Sequence, residues 1–67
     1  MRELDVILDR FLDRGYDALS TDGRLAFAAL LERQDTDLYA WLTGKSASAE
    51  PALQAVIERI LELNERQ

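Results

Sequence analysis

The carboxylates are the side chains here with the most chemistry to offer. The sequence has 13 Asp and Glu among 67 residues, against 8 Lys and Arg, with no Cys and no His. Paired carboxylates act as general acid and base, or hold a hard cation. Asp35-Thr36-Asp37 has the spacing of the first two ligands of a calcium loop. That loop also requires Gly at its sixth position and Glu at its twelfth, where this chain has Ala40 and Ser46. The pair therefore reads as a helix start, with Asp35 as N-cap and Asp37 in the first turn, where the helix dipole favours a negative charge. Without His, the usual general base at neutral pH and the imidazole metal ligand are missing. Without Cys, there is no thiolate for catalysis or zinc, and no disulfide. Gly15, Gly23 and Gly44 are too scattered to make a phosphate-binding loop. No catalytic residue and no metal site are expected. The sequence argues against an enzyme and for a protein-binding module.

Charge narrows the partner class. A net charge of -5 opposes binding to phosphate backbones and to anionic membrane surfaces. A DNA-recognition helix would be basic, yet the last helical stretch sets Arg59 and Arg66 against Glu50, Glu58, Glu62 and Glu65. No apolar run approaches the roughly 20 residues needed to span a bilayer. The opening Met1-Arg2-Glu3-Leu4-Asp5 alternates charge with apolar side chains, unlike a signal or transit peptide. The expectation is a soluble cytoplasmic chain, or a mitochondrial matrix one if its source is eukaryotic. Apolar residues make up 48% of it, enough for a folded core in one small domain.

The elements that would position these side chains are helices. Leu4, Ile7, Leu8, Phe11 and Leu12 recur at the spacing of one helical face, predicting a helix over about 2–13. Asp5, Asp9 and Asp13 form a second row of like charges, which repel one another at this spacing. The row reads as a solvated face, with a docking surface for a basic partner as the alternative. Arg14 suits the helix C-terminus and Gly15 a left-handed cap. A short turn over about 16–19 tucks Tyr16 and Leu19 inward. Ser20 then caps a helix over about 21–33, whose core stripe is Phe27, Leu30 and Leu31, widened by Leu25 and Ala28. Ala26, Ala28 and Ala29 leave room for a neighbouring helix to come close.

A two-turn helix over about 36–43 carries Leu38, Trp41 and Leu42 and ends at Gly44. So short a helix is unstable alone, so Trp41 is expected in the core, with Trp41→Ala costing about 3–5 kcal/mol. Ser48 caps a last helix over about 49–64, with Pro51 in its first turn and Leu53, Val56, Ile57, Ile60 and Leu61 on its apolar face. The last helix frays near Asn64. No strand pattern appears, and the fold class is all-α, a small helical bundle.

The residues Glu3-Leu4-Asp5, Phe11, Tyr16, Leu19-Ser20, Phe27, Leu30-Leu31-Glu32, Asp35-x-Asp37-Leu38 and Trp41-Leu42 resemble the succinate dehydrogenase assembly factor 2 family. Its bacterial members are flavinylation factors. The resemblance covers nearly the whole chain and is densest from Glu3 to Leu42. It implies a five-helix bundle whose first helix this sequence lacks. It also implies an assembly factor or chaperone that promotes covalent attachment of FAD to a His of its partner. That partner would be the flavoprotein subunit of succinate dehydrogenase and, in bacteria, of fumarate reductase. No cofactor is expected on this chain itself, because the chemistry belongs to the flavin and the partner.

The family signature Arg-Gly-x-x-Glu is implied to face the partner. Glu3 matches its Glu and Met1-Arg2 its variable positions, while Arg-Gly would lie upstream. The implied loss of a packing helix would expose an apolar patch and promote self-association. Ser46 stands where relatives often carry Pro. Charge alone makes Glu3 a first-turn dipole partner; the motif makes it the partner-binding candidate, with Arg2 and Tyr39 beside it as weaker ones. Trp41, Phe27, Tyr16 and Asp35 are read as structural. The rival reading is a generic helical interaction module, including an antitoxin-like role.

Overall fold

A computed structural model of the chain describes residues 2–65. Met1, matched to a variable motif position, and Arg66, one of the two expected cations of the last helix, lie outside the described residues. Four α-helices and one 3-10 turn make up the described elements. They are α1 (Arg2–Arg14), the 3-10 turn (Tyr16–Ala18), α2 (Thr21–Leu30), α3 (Asp35–Leu42) and α4 (Pro51–Glu65). The all-α bundle is the observed fold. α2 packs most extensively on α4, and α1 lies against α3, α4 and the 3-10 turn.

Local chemistry explains most of the boundaries. The Ser20 hydroxyl accepts a hydrogen bond from the Gly23 N–H at 3.1 Å, satisfying one of the free donors at the start of α2. Ser20→Ala is expected to lower stability by about 1 kcal/mol. A urea melt would show this as a lower midpoint at constant slope, and an unmoved midpoint would mean the cap contributes nothing. At the end of α3, Gly44 takes φ +79. The Lys45 N–H reaches the Ala40 carbonyl at 2.8 Å and the Gly44 N–H the Trp41 carbonyl at 3.2 Å. This is a Schellman cap, which needs a residue without a Cβ penalty at that position. Pro51 opens α4 in the first turn, where its missing N–H leaves no helical bond unmade.

Four expected helix ends need correction. α2 stops at Leu30, short of Arg33. Beyond it, the Glu32 N–H bonds Ala29 O and the Arg33 N–H bonds Leu30 O, so the last turn tightens to 3-10 bonding. Arg33 is held by an ion pair with Glu50, which ties this turn to the approach of α4. Asp35 is the first helical residue of α3 and not its N-cap. Gln34, extended at φ -69 and ψ 148, holds the cap position without a side-chain bond, and its carbonyl accepts from Leu38 N–H at 3.0 Å. Asp35 and Asp37 sit in the first turn, where they face the positive end of the dipole.

Ser48 closes a turn ahead of α4, accepting from Glu50 N–H at 3.1 Å while its own N–H donates to Gln54 Oε1 at 2.9 Å. The last helix does not fray at Asn64 but runs to Glu65. The Asn64 amide donates to Ile60 O and accepts from Arg10 Nη1, both at 3.0 Å, so α1 holds the end of α4.

Leu4, Phe11, Ala26, Phe27, Leu30, Leu38, Leu42, Leu53, Val56, Ile57 and Ile60 form one buried core drawn from all four helices. Phe27 is flanked by Phe11 at 5.3 Å and by Tyr16, edge-on, at 5.6 Å between ring centroids. Gly15 does not take the left-handed conformation expected of it. Its φ is -120, open to any residue. A Cβ there would stand 2.7 Å from the Phe11 ring, so the position requires glycine for space.

Candidate interaction surface

α1 turns Leu4 and Phe11 into the core. A helix advances about 100° per residue, so Arg2, Val6, Asp9 and Asp13 lie opposite these two, with Asp5 and Leu12 about a quarter-turn from the core face. All six are exposed. The three Asp run as one row along the helix, with Val6 on one side of it and Leu12 on the other. Glu3 is exposed on the flank of the same helix, in its first turn, where the dipole favours a carboxylate. Glu3, the motif candidate, and Arg2, a weaker one at a variable position, thus stand together at one end of α1.

Apart from Arg2 on this face, several of the cations are drawn elsewhere. Arg10 turns to Asn64, Arg24 lies over the Tyr16 ring at 5.1 Å, Arg33 pairs with Glu50 and Lys45 lies over the Tyr39 ring at 5.1 Å. Arg14 approaches Asp13 at 4.0 Å, but both are exposed and such a pair is worth little.

The other candidates fall into two groups. Tyr16 and Phe27 are joined in the aromatic cluster, as structural residues. Tyr39 and Trp41 are both half-buried against the core. Tyr39 is thus only partly available, with Lys45 over its ring. Trp41 is not the fully buried anchor expected, because Leu38 and Leu42 take the innermost positions of α3. Four residues expected on the core stripes are outside the core: Leu12 is 48% exposed, Leu25 65% and Leu31 46%, and Ala28 is exposed with them. No sequence signal marks these, because spacing shows which face is apolar but not how much of its width a neighbour covers.

A concavity of about 460 Å³ lies between the start of α2 and α4, lined by Leu19, Gly23, Ala26, Ala55, Val56 and Arg59 among others. Its lining is mostly small and apolar, with Ser20, Asp22 and Arg59 as its polar side chains. Among the described residues, no group of three or more carboxylates is arranged to hold a metal ion.

In comparison with known proteins, a family described as flavinator of succinate dehydrogenase matches residues 1–64. A FAD assembly factor of Colwellia psychrerythraea is 41% identical over 61 residues, covering 91% of this chain and 67% of its own length. One from Shewanella oneidensis is 35% identical over 60 residues, covering 90% of this chain and 73% of the relative. One from Vibrio cholerae is 36% identical over 64 residues, covering 96% and 74%. No solved structure matches the chain.

Proposed function

We propose, because this chain belongs to the family of flavinators of succinate dehydrogenase, that it is an assembly factor promoting covalent attachment of FAD to the flavoprotein subunit of that enzyme, and of fumarate reductase. The observation that carries this reading is the match over residues 1–64, together with relatives at 35–41% identity that are themselves FAD assembly factors. The mode of action is binding. The chain has no His and no Cys, and its exposed features are a helix face and a shallow apolar concavity. It would hold the flavoprotein subunit in a conformation in which FAD and the accepting side chain of that subunit react, the covalent chemistry being theirs. It is a chaperone and not an enzyme in this reading. Its place of action is the cytoplasm, in keeping with bacterial relatives and with described helices too short or too polar to cross a membrane.

Glu3 is assigned to the partner contact, with Arg2 beside it and Tyr39 contributing its exposed edge. Glu3 is exposed, so removing its carboxylate leaves the core intact. Glu3→Ala is expected to weaken binding to the flavoprotein subunit on the order of tenfold, about 1.4 kcal/mol. The test restores the gene, or its Glu3→Ala form, to a deletion strain and reads covalent flavin fluorescence on the flavoprotein subunit in a denaturing gel. The full gene should restore the signal and the variant should restore less. Equal fluorescence with and without the gene would end this reading.

A further inference from the structure

We infer that the outward face of α1 is the surface on which a basic, partly apolar patch of the partner docks, and that Asp5, Asp9 and Asp13 steer that encounter. This rests on the function proposed above and names the partner's chemistry. Two observations independent of the family carry it. Val6 and Leu12 are each about half exposed, at 49% and 48%, on a face that none of the described elements covers. Leu12 belongs by spacing to the edge of the apolar stripe, yet it stands outside among carboxylates.

The second observation is the fate of the positive charges. Three Asp four residues apart repel one another and weaken the helix that carries them. Compensation would be simple, since Arg10 lies on the same helix. Instead Arg10 bonds Asn64, while Arg24, Arg33 and Lys45 are engaged on other parts of the fold, and Arg2 stands on this face at the start of the row. Arg14 comes near only the last Asp of the row, at 4.0 Å and in solvent. Three Asp against Arg2 leave the face net negative, with its two apolar side chains beside that charge.

Charge complementarity selects the occupant. A second copy of this chain would bring carboxylates against carboxylates on a molecule of net charge -5, so the face disfavours self-pairing. A cationic surface with an apolar centre matches both features. Thirteen helical residues span about 20 Å, which is one side of a modest interface.

The test measures binding of the full chain to the purified flavoprotein subunit at low and high salt. Asp5→Asn/Asp9→Asn/Asp13→Asn is expected to lose about tenfold or more in affinity at low salt, mostly through association rate, with a flattened salt dependence. The same gain in charge away from α1, Glu32→Gln/Asp37→Asn/Glu58→Gln, should change affinity much less. Val6→Ser/Leu12→Ser should weaken binding several-fold at every salt concentration. Circular dichroism melts confirm that each variant is folded, which exposed Asp→Asn changes favour by removing repulsion. Equal losses in the two charge-reduced variants would overturn the inference, since net charge alone would explain them. An unaffected triple Asp variant would overturn it too. If the unaltered chain itself fails to bind, the function proposed above falls, and this inference with it.

Discussion

Phe27→Ala is expected to leave this domain at the edge of unfolding at room temperature. The ring is 3% exposed and lies between Phe11 and Tyr16, so it joins α2 to α1 and to the 3-10 turn. Truncating a buried Phe costs about 3–5 kcal/mol, because the lost transfer energy is joined by the cost of the cavity left behind. A chain of this length has roughly 3–10 kcal/mol in total, at 0.05–0.15 per residue. No disulfide limits the unfolded state, since the chain has no Cys. Urea titration followed by far-UV circular dichroism measures the loss as a midpoint shift. Trp41→Ala is the matched comparison. It removes a larger side chain, but one only half-buried, so its cost falls to about 2 kcal/mol by area. Had Trp41 filled the core as its lone position on a short helix implied, it would be the costlier change. A larger loss for Trp41→Ala than for Phe27→Ala would refute the packing described here.

The second large effect is one of sign. Replacing a glycine that has ordinary backbone angles with alanine usually stabilises a protein by about 0.4–1 kcal/mol, because the unfolded chain loses freedom. Gly15, at φ -120, meets that condition, so its backbone angles taken alone would recommend the change. The packing around it reverses that expectation. An added Cβ would meet Cδ1 and Cε1 of Phe11, both at 2.7 Å, with Leu63 Cδ2 behind at 3.5 Å. Phe11 is 1% exposed and packed on Phe27, so its ring has nowhere to retreat. Gly15→Ala is expected to destabilise by about 1–3 kcal/mol, the cost of overpacking a filled core. Thermal unfolding decides the matter: a raised midpoint would show that the Phe11 ring yields easily.

The two effects meet at Phe11. The backbone of Gly15 lies against one part of that ring, and Phe27 lies against another. The turn after α1 is thus set by how closely the chain can pass the aromatic cluster. That turn fixes where α2 begins relative to α1, and hence how α1 presents its outward face.

What the sequence by itself determined are features set within a few residues. The Ser20 cap, the Gly44 stop, Pro51 in the first turn of α4 and the inward Leu4, Phe11, Phe27 and Ile57 depend on neighbours three or four positions away. Only the tertiary structure decided the rest. Leu12, Leu25 and Leu31 lie outside because four short helices cannot cover the full width of every apolar stripe. Trp41 is half-buried because Leu38 and Leu42 fill the space beneath α3. Arg10 binds Asn64 across 54 positions, and Gly15 is sterically required by a ring whose position depends on α2. Each of these outcomes depends on atoms brought together by folding, which no local pattern of residues encodes.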